Sequence, residues 1–194
     1  MSTRLFVLKR GDCAARASLG LFVVLTALAA GTGARAEDTD NDGREDGAGR
    51  LMLALDLEYA TAISNDFVQH GSGGAFRIGS ELDAILVTLI PELTVDYHSF
   101  GGRSDPSVVT GKVGGRIRFL KILEPGIFAH LGVGHISADP FSHTGVAFDA
   151  GATLDLTILP LIDFGVHAAW NRVFGDDERG LSFGTLGGHV ALVF

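Results

Sequence analysis

From Leu51 to the end of the chain, apolar and polar residues alternate with a period of two. Leu51, Leu53, Leu55, Leu57 and Tyr59 are interleaved with Met52, Ala54, Asp56 and Glu58. Phe76, Ile78 and Leu82 alternate with Arg77, Glu81 and Asp83, and Leu93, Val95 and Tyr97 with Glu92, Thr94, Asp96 and His98. The fourth segment sets Val109, Val113, Ile117 and Phe119 against Thr110, Lys112, Arg116 and Arg118. The fifth sets Ile127, Ala129, Leu131 and Val133 against Phe128 and His130. Val146, Phe148, Leu154 and Leu156 then oppose Asp149, Thr153 and Asp155, and Ile162, Phe164, Val166, Ala168 and Trp170 oppose Asp163, His167 and Asn171. The last segment sets Val190, Leu192 and Phe194 against His189. Successive side chains of a strand point to opposite faces, so this pattern predicts eight strands, each with one oily and one ionic face.

The predicted connections are of two kinds. Residues 63–74, 101–106, 137–143 and 175–180 are rich in Gly, Asp, Ser, Asn and Pro and read as loops, whereas turns near 87–90, 120–124 and 158–160 are short. A weak repeat marks the short turns: Leu-Ile-Pro, Ile-Leu-Glu-Pro and Ile-Leu-Pro.

Alternation alone fits any half-buried sheet, and a soluble lipocalin-like binding barrel is one such reading, with its apolar rows inside. Two features favour the inverted arrangement, in which apolar rows face lipid and polar rows fill the lumen. The segments approach the roughly 9–11 residues that a tilted strand needs to cross a bilayer. The charged rows also carry both signs among small residues such as Gly114, Gly132, Gly151, Gly165 and Ala169, as a narrow bore requires. On the apolar rows, Tyr59, Phe76, Tyr97 and Trp170 are expected near the loop-side ends, and Phe119 and Phe194 at the opposite rim, as interfacial aromatics.

This parity assigns to the lumen Asp56, Glu58, Arg77, Glu81, Asp83, Glu92, Asp96, His98, Lys112, Arg116, Arg118, His130, Asp149, Asp155, Asp163, His167 and His189. An eight-stranded bore is only wide enough for side chains, so these groups are expected to interlock as a plug. A narrow cation path is the alternative.

Composition changes the picture at the N-terminus. Arg4, Lys9, Arg10 and Arg16 precede an apolar run, Leu19 to Ala30, and the small-residue site Ala34-Arg35-Ala36, the layout of a secretory signal over residues 1–36. Its loss would remove five basic residues and Asp12, taking the formal charge from −8 to −12 and disfavouring nucleic acid as a partner. The single cysteine, Cys13, lies within the leader, so the remainder offers neither disulfide nor thiolate chemistry. Residues 37–50 form an acidic, flexible lead-in before a barrel at 51–194. Within the lead-in, Asp38, Asp40, Asp42 and Asp46 have the spacing of a calcium loop, although Gly49 occupies the place of the bidentate glutamate. Calcium is the one cofactor the sequence raises.

An export signal, strands of this length and a terminal Phe194 with Leu192 and Val190 on its face together resemble the small eight-stranded bacterial outer-membrane barrels over Leu51 to Phe194. The resemblance implies an up-and-down barrel in outer-membrane lipid, both termini periplasmic, inserted by machinery that reads the last strand. A structural or envelope-maintaining role is the expectation. An enzymatic alternative comes from His135-Ile136-Ser137 and Asp149, which resemble the catalytic groups of the outer-membrane lipid A 3-O-deacylases. Ala138 stands where that family carries an asparagine.

Overall fold

The computed structural model describes residues 49–63, 68–84, 86–102, 105–120, 122–159, 161–175 and 180–194. The expected leader, almost all of the lead-in and the calcium-loop aspartates Asp38, Asp40, Asp42 and Asp46 lie outside the described residues. Eight strands follow one another: β1 (Arg50–Ala62), β2 (Val68–Asp83), β3 (Val87–Gly102), β4 (Ser107–Phe119), β5 (Leu123–Ala138), β6 (Phe141–Leu159), β7 (Ile162–Val173) and β8 (Leu181–Val193). Each pairs antiparallel with its sequence neighbours, and β8 returns to β1 to close the barrel. The closing seam runs from Met52 opposite Val193 to Ala62 opposite Phe183, and Leu51 and Phe194 exchange backbone hydrogen bonds of 3.0 and 2.9 Å.

Strands of 12 to 19 residues exceed the roughly 5–6 typical of globular sheets. They persist because the ladders pair the backbone of each strand with both its neighbours, as a hydrocarbon environment demands. Their two faces behave as the period-two pattern requires. Along β3, Glu92, Thr94, Asp96 and His98 are buried while Val95 and Tyr97 are exposed. Leu57, Val133, Leu131 and Leu186 are each more than half exposed on the outer surface. The soluble lipocalin-like reading is therefore overturned, since its apolar rows would have to point inward.

Three expectations about connections need correction. The Gly- and Ser-rich stretch from Gly71 to Gly74 belongs to β2, paired with Phe100 to Tyr97 on one side and Ala60 to Leu57 on the other. It was expected to loop because glycine weakens strands in general. Here it relieves crowding: a Cβ at Gly73 would lie 2.3 Å from the His98 ring. The turn between β2 and β3 spans residues 84–86, so residues 87–90 are strand rather than turn. Between β5 and β6 only Asp139 and Pro140 intervene; Ser137 and Ser142 face each other within the ladder. The β5–β6 connection is therefore as short as those of the opposite rim.

Candidate functional site: the lumen

Inward-facing residues of all eight strands fill the bore in successive layers. Towards the rim that carries the β1–β2, β3–β4, β5–β6 and β7–β8 connections, the filling is apolar: Ala60, Phe100, Val108, Ile136, Ala147, Val173, Leu181 and Phe183 pack into one buried cluster. Phe183 meets His98 and Phe100, each with ring centroids 5.1 Å away. Near the opposite rim a second cluster joins Met52, Ala54, Ile90, Ala191 and Val193.

The ionic network begins below the first cluster and runs alongside the second to the rim. Arg77 grips Asp56 through Nε and Nη2, both at 2.9 Å, and donates from Nη1 to Glu92 at 3.1 Å. Glu92 also accepts from Arg116 Nε at 3.3 Å and meets His130 Nε2 at 2.9 Å. The other imidazole nitrogen of His130 lies 2.6 Å from Asp149, and Lys112 sits between Asp149 at 2.5 Å and Asp96 at 2.8 Å. Thr110 donates to Asp96 at 2.6 Å. Glu58 bridges two imidazoles, His98 Nε2 at 2.6 Å and His167 Nε2 at 2.9 Å. Nearer the second rim, Arg118 contacts Glu81, Asp163 at 2.9 Å and Glu124 at 3.2 Å, while His189 Nε2 reaches Asp155 at 3.1 Å. Arg116 also lies over the Phe128 ring, 5.0 Å from its centroid.

This web links β1 to every other strand, directly or through one or two intermediate side chains. Carboxylates outnumber the four fixed cations Arg77, Lys112, Arg116 and Arg118, so His98, His130, His167 and His189 serve as the partners that keep carboxylates from facing each other bare. Chemically the layer is a network of ion pairs and hydrogen bonds, and a small cavity of about 30 Å³ remains among Asp56, Arg77, His130, Asp149, His167 and Asn171. That is room for a water or two.

The sequence-derived lumen residues all lie on the inward rows, but Asp83 is a correction. Its side chain is 54% exposed at the rim, where Arg50 reaches it at 3.4 Å, because β2 has already passed the last buried layer at Glu81. Glu124 was read as part of a turn; it is buried against Arg118 and shares the parity of Phe128 and His130, a signal that would have found it. Phe100 and Phe183 were also missed, since an apolar residue on a charged row breaks the pattern.

The outward aromatics fall where their strands put them. Tyr59, Tyr97 and Trp170 lie towards the loop-side rim, with Trp170 edge-on to Phe148, and Phe119 and Phe194 lie at the other rim. Phe76 is a correction: it pairs with Leu55 and Val95 at the middle of the barrel wall, because β2 begins at Val68, well before the expected strand start.

The deacylase-like trio is not brought together. His135 is exposed on the outer wall and bonds Thr144 Oγ1 at 2.7 Å, Ser137 sits opposite Ser142, and Asp149 is inside the bore on His130 and Lys112. Strand parity separates them: residues 135 and 137 share one face, and Asp149 takes the other.

No protein-family model matches the chain, and no curated protein does. Among solved structures it is similar to neisserial surface protein A, with a TM-score of 0.57 and 18% identity over 74% of this chain and 97% of that one. It is also similar to Ail of Yersinia pestis (TM-score 0.47, 15% identity, 77% of this chain and 99% of that one). The N-terminal barrel domain of OprF from Pseudomonas aeruginosa gives a TM-score of 0.47 and 16% identity over 76% and 100% of the two chains. At such identities the likeness is one of fold: a closed, eight-stranded, up-and-down barrel of the outer-membrane kind with a polar interior.

Proposed function

We propose that this eight-stranded transmembrane barrel is an exported outer-membrane protein with a structural, envelope-maintaining role and a lumen closed to solutes. In this reading the leader is cleaved after Ala36, both termini face the periplasm, and the partners are outer-membrane lipid and the insertion machinery that takes up β8. Its outward rows of Leu, Val and Phe suit acyl chains.

One observation carries the reading: the bore is filled along its length. The Phe100–Phe183 layer closes one end, and the ion-pair network from Glu92 to Arg118 fills the rest, with the Met52–Ile90 cluster beside it. A hydrated ion crossing it would have to displace paired charges and then enter an apolar layer, each step costing several kcal/mol.

Planar-bilayer recording of the purified, refolded protein tests this. The expected result is a quiet bilayer at all voltages. A stable cation-selective unitary current would replace the reading with that of a narrow pore. Fractionation with the outer membrane and a heat-dependent shift in gel migration test the location independently.

A further inference from the structure

Among the buried nitrogens of the ionic layer that have no hydrogen-bond partner are Nδ1 of His167 and Nδ1 of His189. Both side chains are at least nine-tenths buried, and both atoms face the same oxygen. Asp56 Oδ1 lies 3.7 Å from His167 Nδ1 and 3.8 Å from His189 Nδ1, too far for a hydrogen bond to either. The three atoms all lie within 4.8 Å of one another.

The opposite ring edges explain why these nitrogens are bare. His167 Nε2 is engaged by Glu58 at 2.9 Å, and His189 Nε2 by Asp155 at 3.1 Å. A carboxylate only accepts, so each Nε2 carries the proton it donates, and in the neutral ring the Nδ1 lone pair is left free. Two lone pairs thus converge on an anionic oxygen, in a space that calls for a cation.

We propose that Asp56, His167 and His189 form a lumenal binding site for one divalent transition-metal ion of the zinc class, held by Asp56 Oδ1 and the two Nδ1 atoms. Imidazole and carboxylate are the ligands such ions take, at about 2.0–2.2 Å. Tetrahedral bonds of that length put ligand atoms about 3.3–3.5 Å apart, so the two Asp–His edges need to close by a few tenths of an ångström and the His–His edge, within 4.8 Å, by up to about 1.5 Å. The surroundings are those of a supported metal centre. Each imidazole is fixed by a carboxylate behind it, and the ligating carboxylate is itself held by Arg77 at 2.9 Å. Asp56, Glu58 and Asp155 surround the two imidazoles with carboxylates, while Arg77 pairs with Asp56 and Arg116 and Arg118 stand 3.7 and 3.6 Å from Asp155. The adjoining cavity, lined by Asp56 and His167, gives a water room to complete the coordination.

The site joins strands β1, β7 and β8 across the closing seam, so the metal would be taken up as the barrel forms. The test is to refold the full chain into detergent micelles with excess Zn²⁺, desalt it, and measure metal per barrel by mass spectrometry. The expected result is one zinc per wild-type barrel, at least a tenfold loss in the His167→Gln/His189→Gln double variant, and no loss in the outer-wall variant His135→Gln. Wild-type barrels that emerge without zinc, or a double variant that keeps it, would overturn the proposal. Should the double variant not reach the folded, heat-modifiable form, zinc-edge X-ray absorption of the wild type decides. Two imidazole ligands support the site, and any other number of imidazoles defeats it.

Discussion

Phe100 on β3 and Phe183 on β8 meet edge-on across the bore, their ring centroids 5.1 Å apart and their planes at 75°. Three strand spacings separate them around the wall, so the contact spans the interior and roofs the ionic layer directly above His98. Replacing either ring with alanine should cost about 3–5 kcal/mol of stability, as buried Phe→Ala changes do. The Phe100→Ala/Phe183→Ala double variant should also leak ions in a planar bilayer where the wild type does not. A double variant as stable and as silent as the wild type would show that the aromatic layer closes nothing.

Glu92 lies within the ionic layer and meets Arg77, Arg116 and His130 at once. Glu92→Ala leaves two guanidinium groups buried without their shared anion. A loss of about 3–5 kcal/mol is expected, read as a lower urea midpoint for unfolding from lipid vesicles. The rim pair Arg50–Asp83, half exposed at 3.4 Å, should by contrast lose less than about 1 kcal/mol when Asp83 becomes asparagine.

Gly132 and Gly111 lie on neighbouring strands but face opposite ways. A Cβ at Gly132 would come within 2.6 Å of the Lys112 Cα and closer still to a backbone oxygen, whereas a Cβ at Gly111 meets nothing within 4 Å. Gly132→Ala should therefore destabilise the barrel by about 1–3 kcal/mol, and Gly111→Ala should leave the unfolding midpoint unchanged within error. Equal effects at both positions would contradict the assignment of faces.

Leu131 sits on the outer wall between Val113 and Phe148, more than half exposed. If that wall faces hydrocarbon, Leu131→Arg should cost about 2–4 kcal/mol in vesicles. A negligible cost in lipid would mean that the surface is not bathed in acyl chains.

Much of this was legible in the sequence, and the reason is local. Which way Asp56, Arg77 or His130 points follows from strand parity alone, since one step along a strand reverses the side chain. What parity leaves undetermined is height and partner. Phe76 has the right face and the wrong level, because its level depends on where β2 begins, and the Gly71–Gly74 stretch was read as loop. Phe100 and Phe183 were lost because an apolar side chain on an ionic row has no local signature; only the layer they share explains it. The meeting of Asp56 with His167 and His189 depends on β8 returning to β1, a pairing between the two ends of the fold. His135, Ser137 and Asp149 show the converse, residues close in sequence that a two-residue period holds on opposite sides of one wall.

The seam where Leu51 and Phe194 exchange backbone hydrogen bonds makes the ladder a ring. A ring has no outermost strand, so every hairpin is equivalent in its pairing and none can be peeled away without exposing two raw edges. Assembly is correspondingly all-or-nothing. Until the chain's last segment arrives, the earlier ones hold an unclosed ribbon whose ends would adhere to any neighbouring copy.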